Sequence, residues 1–193
     1  MEFLKDKKLL RKEVLDRRKD IDKKEKEKMD EIIEEKLYES SYYKNAKNIF
    51  IYISYDSEIN TRNIINNSLK AGKKIYVPRT EFKTKLMDAV EVTTLDNLTK
   101  SSYGILEPSI EESAIDPNEL DLIIVPGVAF DESHGRMGYG AGFYDRYFKR
   151  INEKSLKKIT KLAMAYDFQV INKVPMDKDD VPVDCIFTEK RVI

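Results

Sequence analysis

Read for its apolar positions alone, the chain divides into two unlike parts. From Glu2 to about Lys36 the apolar residues Phe3, Leu4, Leu10, Val14, Ile21, Ile32, Ile33 and, just beyond, Leu37 stand at loosely helical spacing in a background of Lys, Glu and Asp. Neither Gly nor Pro interrupts this stretch, so the pattern predicts one or two amphipathic helices, with the polar run Lys23 to Lys28 as the break. After it come short apolar, β-rich runs. Asn48–Ser54 (NIFIYIS) and Leu122–Val125 (LIIV) have the continuous apolar character of strands covered on both faces. Lys74–Val77, ended by Pro78, reads as a second strand, Met87–Val92 as a third, and Lys161–Tyr166 and Asp184–Thr188 as later ones. Asn60 or Thr61 caps a helix that runs to Ala71 and stops at Gly72. Phe143–Ile151 reads as another helix, whereas Arg79 to Pro117 is otherwise ambiguous.

Strand and helix in alternation predict an α/β fold with a mostly parallel sheet and helices on both faces. No linker, repeat or low-complexity tract divides it. The expectation is a single domain over residues 1–193, with N-terminal helices in residues 1–45 packed upon it. In such sheets ligands bind beyond the carboxyl ends of the strands. That rule points to Ser54–Glu58, Pro78–Arg79, Pro126–Asp145 and Asp167–Gln169.

Composition narrows the function classes. With 35 Lys+Arg against 35 Asp+Glu the formal net charge is zero, so no global field recruits nucleic acid or an anionic membrane. Any anion must be held by a local site. The N-terminal charge run reads as a solvated helix face before an RNA-binding arm, because its Lys is matched by Glu and Asp. The single cysteine, Cys185, excludes an internal disulfide and a Cys-rich zinc cluster. No apolar run is long enough to span a bilayer and the N-terminus lacks a signal-peptide core, so a cytoplasmic protein is expected.

Four of the seven glycines lie between Gly135 and Gly142, between the buried strand ending at Val125 and the helix opening at Phe143. Glycine there lets backbone N–H groups approach an anion, and the helix turns its positive end the same way. A mobile surface loop is the plain alternative. A helix terminus supplies an exposed anion with only about 0.3–1 kcal/mol, so a triphosphate requires real cations. Arg136 and Arg146 bracket the glycines, and Asp145 offers a carboxylate for Mg²⁺. The Gly-Lys-Ser/Thr of a Walker loop is absent. The glycines also follow a late strand through a loop of roughly ten residues, unlike a dinucleotide fingerprint.

Pro126-Gly-Val-Ala-Phe-Asp131 followed by Arg136-Met-Gly-x-Gly-x-Gly-Phe-Tyr-Asp-Arg146 resembles the signature of the 5-formyltetrahydrofolate cyclo-ligase family. Further matches follow in order: Lys7-x-x-x-Arg11, Ser57-Glu58-Ile59-Asn60-Thr61, Val77-Pro78-Arg79, Gly104–Pro108, and Asp180-Val-Pro-Val-Asp184 with Thr188-Glu189. The resemblance implies a Rossmann-like fold of the sugar-isomerase/CoA-transferase type. It also implies a monomeric enzyme that takes ATP as co-substrate, Mg²⁺ as cofactor and small-molecule substrates only. Its reaction is the ATP-dependent closure of 5-formyltetrahydrofolate to 5,10-methenyltetrahydrofolate through phosphorylation of the formyl oxygen, with release of ADP and phosphate.

Residue by residue, the resemblance assigns ATP binding to Lys7, Arg11, Gly135, Arg136, Met137, Gly138, Tyr139, Gly140, Ala141, Gly142, Phe143 and Tyr144. It assigns folate contacts to Ile53, Glu58, Tyr139 and Tyr144, and Mg²⁺ to Asp145 and Asp184. Arg136, Tyr144 and Lys7 are the expected catalytic residues. Glu58 suits the amino and ring N–H groups of a pterin. Where some members carry basic residues this chain has Tyr139 and Ala141, which shifts the load of phosphate binding to Arg136, Lys7, Arg11 and the metal. His134 reads as a loop residue and Cys185 as a buried structural thiol. Two rival readings stay open: a non-catalytic nucleotide or folate-binding module on the same fold, and an ATP-independent sugar-phosphate isomerase.

Overall fold

The computed structural model describes residues 2–101 and 104–193, with side chains from Lys7 onward; the apolar positions Phe3 and Leu4 lie outside the described side chains. Helices α1 (Glu2–Lys19), α2 (Lys23–Glu39) and α3 (Ser41–Asn45) open the chain. The break between the first two falls at Asp20–Asp22, ahead of the expected Lys23–Lys28. The cause is Asp22, whose carboxylate accepts from Lys24 N at 3.0 Å and Glu25 N at 3.3 Å and so starts α2 directly after it.

Six strands form the main sheet: β1 (Asn48–Ile51), β2 (Lys74–Glu81), β3 (Leu86–Val92), β6 (Leu122–Val125), β9 (Thr160–Met164) and β11 (Cys185–Phe187). Their order is β11-β9-β6-β1-β2-β3, parallel throughout except for β3 against β2. Helix α4 (Thr61–Lys70) links β1 to β2, begins at Asn60 and is followed by Gly72 at φ 76°, as its sequence predicts. Between β3 and β6 a small ribbon forms from β4 (Thr99–Lys100) and β5 (Leu106–Glu107).

Alternation along β1 divides the core. Ile49 and Ile51 pack with Ile33 and Leu37 of α2 and Ile64 and Ile65 of α4. Phe50 points to the other side, where α5 (Phe143–Phe148) brings Tyr144, Tyr147 and Phe148, and α6 (Glu153–Leu156) adds Leu156. The Phe50 ring lies 5.0 Å from that of Tyr147 and 5.9 Å from that of Tyr144. Helices therefore cover both faces.

Three expectations are corrected. Pro78 does not end β2. The parallel pairing with β1 stops at Tyr76, so Pro78 sits where β2 has a sheet partner, β3, on one side only, and a missing N–H is tolerated. The first strand ends at Ile51, short of Ser54, as the chain turns toward α4. The segment after Pro126 is not a simple loop: β7 (Ala129–Asp131) and β8 (Arg136–Met137) make a hairpin, joined by β10 (Val170–Ile171) in a three-stranded sheet. Leu10, Val14 and Leu15 of α1 dock on this small sheet against Val128, Ala129, Met137 and Val174.

From β1 the chain proceeds outward through β2 and β3, then returns to place β6 on the other side of β1. The strand order thus reverses between β1 and β6, and the crevice expected at such a switch lies beyond Ile51 and Val125.

Candidate active site

The hairpin is tied by one buried carboxylate. Asp131 Oδ1 accepts from Ser133 N and Gly135 N, each at 2.9 Å, and Oδ2 accepts from Val174 N at 2.7 Å. A Cβ on Gly135 would stand 2.6 Å from Asp131 Oδ2, so only glycine closes this turn. His134 sits in the same turn at φ 67°, a loop residue as expected. The turn fixes where β8 begins, and with it Arg136.

Arg136 lies inward, its side chain 4% exposed, with Nη2 donating to Asp145 Oδ1 at 2.7 Å. Its Nε is buried and has no partner. Arg136 and Asp145 are thus brought together, with the guanidinium braced beneath the glycine loop. Tyr144, on the same helix as Asp145, is buried. Its hydroxyl has no partner, and the Arg136 guanidinium stands 5.9 Å from its ring centroid. Burial pushes the Tyr144 phenol well above its ordinary pKa, so it stays protonated and able to donate. Helix α5 has only six residues, shorter than Phe143–Ile151, and Arg146 donates from Nε to Lys85 O at 2.9 Å and from Nη2 to Ala141 O in the glycine loop. Both contacts are to backbone carbonyls, and further cations face the loop.

They come from α1. Lys7, Arg11 and Arg18 share one helical face with Val14, whose apolar contact seats the helix on the hairpin. Lys7 Nζ reaches Asp177 Oδ2 at 2.7 Å and Asp180 Oδ2 at 3.2 Å. Burial works against its charge, but the two carboxylates outweigh that and raise its pKa. Arg11 Nε donates to Gly138 O at 2.9 Å, and its guanidinium carbon is 3.7 Å from where a Cβ on Gly140 would be. Gly140 itself holds φ 100°, a conformation that side chains rarely adopt.

At the other end of the stripe stands Glu58. Its Oε2 accepts from Tyr55 N at 2.9 Å and its Oε1 from the Tyr139 hydroxyl at 2.5 Å. Burial raises the Glu58 pKa, against the lowering effect of Tyr139, the Tyr55 amide and Arg18. Arg18 donates from Nη2 to the Tyr139 oxygen at 2.9 Å and from Nε to Ser57 Oγ at 3.0 Å. Arg18 is the residue that sequence reasoning passed over. Its signal was the position seven residues after Arg11 on the Lys7–Arg11 face, hidden within a charge run. Ile53 is buried beside Tyr52, Ile59 and Tyr166 in the core cluster behind this corner.

A model of the 5-formyltetrahydrofolate cyclo-ligase family matches residues 4–189. The chain belongs to the 5-formyltetrahydrofolate cyclo-ligase family. It is 32% identical over 186 residues to the mouse 5-formyltetrahydrofolate cyclo-ligase, covering 93% of this chain and 92% of the relative. A Caenorhabditis elegans protein named a probable 5-formyltetrahydrofolate cyclo-ligase is 35% identical over 183 residues, 90% of this chain and 87% of that one. The NMR structure of Aquifex aeolicus 5,10-methenyltetrahydrofolate synthetase superimposes with a TM-score of 0.83 at 33% identity, covering 96% of this chain and 91% of that one. The Mycoplasma pneumoniae synthetase shares the fold, with a TM-score of 0.76 at 24% identity over 95% and 99% of the two chains.

In this cyclo-ligase family member Asp184, expected at the metal, pairs with Lys161. Asp184 immediately precedes β11, which runs parallel to β9 and β6, and the neighbouring Val183 N donates to His134 O at 3.1 Å, at the tip of the hairpin. Asp184 Oδ2 is occupied by Lys161 N at 2.7 Å and Lys161 Nζ at 2.8 Å. Asp180, in the same acidic motif, does reach the site. Its carboxylate meets Lys7, and the adjacent Val181 N donates to Asp145 Oδ1 at 3.1 Å. Among the described residues, Asp145 and Asp180 each keep one carboxylate oxygen without a hydrogen bond. Two carboxylates without a third protein ligand suit Mg²⁺, which is commonly held by one or two carboxylates, phosphate oxygens and water. Among the described residues no group of three or more His, Cys, Asp or Glu is placed to hold a metal alone.

Proposed function

We propose that this chain closes 5-formyltetrahydrofolate to 5,10-methenyltetrahydrofolate at the expense of ATP. A formamide oxygen is a poor leaving group. In the proposed route it attacks the γ-phosphorus of ATP and ADP departs. Nitrogen-10 then attacks the activated formyl carbon and loses its proton, and the carbon–oxygen bond breaks to release phosphate. Such a transfer asks for positioning and charge stabilisation, with no protein nucleophile.

The observation that carries this reading is the 2.5 Å contact between Tyr139 and Glu58, which puts the glycine loop against a desolvated carboxylate at the switch between β1 and β6. Arg11 and Lys7 flank the loop and would bind the triphosphate as Lys7 exchanges its aspartates for phosphate. Arg136 would hold Asp145 in place, and Tyr144 would donate its unpaired hydroxyl at the junction of the two substrates. Glu58 would accept the pterin amino and ring N–H groups. Asp145 and Asp180 would hold Mg²⁺, which when bound neutralises phosphate charge.

We assign the active unit to a single copy of this chain acting in the cytoplasm. The zero net charge gives no global field to recruit nucleic acid or an anionic membrane, and among the described residues no helix is long and apolar enough to cross one. An Arabidopsis relative is named mitochondrial, so fractionation of the source cells tests the compartment. The activity itself is tested by mixing chain, ATP, Mg²⁺ and 5-formyltetrahydrofolate. The methenyl chromophore and free phosphate should appear in equal amounts and only with ATP; turnover without ATP would sink the proposal.

A further inference from the structure

Arg18 is 5% exposed, yet among the described residues no carboxylate lies within ion-pair distance of it. Its two contacts, to Ser57 Oγ and the Tyr139 oxygen, are both neutral. A buried guanidinium normally has an anion or several strong acceptors, because desolvating a charge is costly. Here a guanidinium with five N–H donors uses two of them, and Nη1 carries no hydrogen bond. The group is also held rigidly. Val14, one turn before it, is seated on the hairpin, and Arg18 stands over the Tyr139 ring with 5.7 Å to the centroid.

One hydroxyl joins Arg18 to Glu58. The Tyr139 oxygen accepts from Arg18 at 2.9 Å and donates to Glu58 at 2.5 Å, so a strong donor and a strong acceptor stand side by side, one bridging atom apart. The 2-amino-4-oxopyrimidine edge of a pterin presents two neighbouring N–H donors and then a carbonyl acceptor. A carboxylate satisfies the first two; the third requires a donor on the carbonyl side. We propose that Arg18 is a specificity-determining residue of the folate subsite, donating to the 4-oxo group while Glu58 takes the 2-amino and N3–H groups. This rests on the reading of Glu58 as the pterin carboxylate. Lys7 lies at the other end of the same stripe, about 16 Å away along the axis at 1.5 Å per residue, beside the residues assigned to metal and phosphate. Helix α1 then spans both substrates, with its cations divided between them.

The test compares two ligands by calorimetry: 5-formyltetrahydrofolate and its 4-amino-4-deoxy analogue, which offers a donor at position 4 where the first offers an acceptor and which also lacks the N3–H that faces Glu58. The wild-type chain should favour the 4-oxo ligand about tenfold or more, the scale of one buried hydrogen bond to a charged group. Arg18→Met should shrink that preference about tenfold by weakening only the 4-oxo ligand, leaving the part that N3–H and Glu58 supply. Arg18→Lys should restore part of the loss. Because the readout is a ratio of affinities, partial unfolding of a variant does not mimic it. Tyr139→Phe, at an exposed position, provides a second variant that loosens Arg18 and should reduce the ratio in the same direction. A ratio unchanged in Arg18→Met overturns the proposal. Should Glu58→Gln bind 5-formyltetrahydrofolate as tightly as wild type, the underlying reading of Glu58 fails; weakening there with an unaltered Arg18→Met ratio removes Arg18 alone.

Discussion

Asp145 Oδ1 receives both Arg136 Nη2, at 2.7 Å, and Val181 N, at 3.1 Å, so one oxygen locks the helix after the glycine loop to the C-terminal acidic segment. Arg136 is the buried partner, and removing it strands a carboxylate that the fold has already partly desolvated. Arg136→Met should therefore lower stability by about 3 kcal/mol, at the low end for a broken buried pair. It should also reduce kcat about tenfold or more, because Asp145 loses the group that positions it, within the range for a lost supporting contact at a metal ligand. Thermal melts with and without ATP, beside the methenyl assay, separate the two effects. Full kcat in the folded fraction would make Arg136 a structural brace and nothing more.

The two aspartates of the Asp180–Asp184 motif should part company. Asp180→Asn removes a carboxylate from the site beside Asp145, and the Mg²⁺ concentration needed for half-maximal turnover should rise tenfold or more. Asp184→Asn should leave that concentration unchanged. Its cost is to the fold, because Lys161, with its side chain 8% exposed, loses the carboxylate at 2.8 Å. A magnesium titration of both variants decides it.

These cases show what the sequence made readable and where it stopped. LIIV and NIFIYIS announce the central strands because both faces of them are buried, which leaves no polar alternation to misread. The hairpin after Pro126 was invisible because strands of three and two residues have no period to detect. Pro78 was misjudged because sequence does not tell which strand edge lacks a neighbour. Within the Asp180–Asp184 motif, only the folded contacts tell that Asp180 meets Lys7 and Asp184 meets Lys161. Among the described cations of α1, Arg18 is set apart by its burial, a tertiary property that its place on the Lys7–Arg11 face only hints at.

Glu58 leads to a prediction in pH. Groups acting on it are Tyr139, the Tyr55 amide, Arg18 and Asp56, with Tyr52 and Tyr144 also within electrostatic reach; burial dominates and lifts its pKa above 4.5. If ionised Glu58 binds the pterin, kcat/KM for the folate should fall with an acid limb above 4.5, and Glu58→Gln should flatten that limb. Stability runs the other way. A carboxyl whose pKa is raised by folding adds stability that is present below its unfolded value and lost as pH rises through its folded value. The ionised form that serves binding is thus the one the fold disfavours. A pH-rate profile for both forms of the chain, with melts at matching pH, tests both signs.

The last prediction concerns Cys185, the only thiol in the chain. It lies at the start of β11, is buried, and its pKa is pushed up to about 12, by desolvation first and then by the neighbouring Asp184 charge. Thiolate is the reactive form, so at pH 8 a thiol with that pKa is ionised to about one part in ten thousand. Labelling by a thiol reagent should then wait on opening of the β11 edge. Asp184→Asn acts oppositely on the two terms: it lowers the pKa by removing a negative charge, and it weakens the edge by freeing Lys161. Both changes speed labelling, but only the first persists in denaturant. Comparing native and urea-unfolded rates in wild type and Asp184→Asn therefore tells how much of the protection comes from packing. Native labelling as fast as that of the unfolded chain would show that the strand edge does not shield the thiol at all.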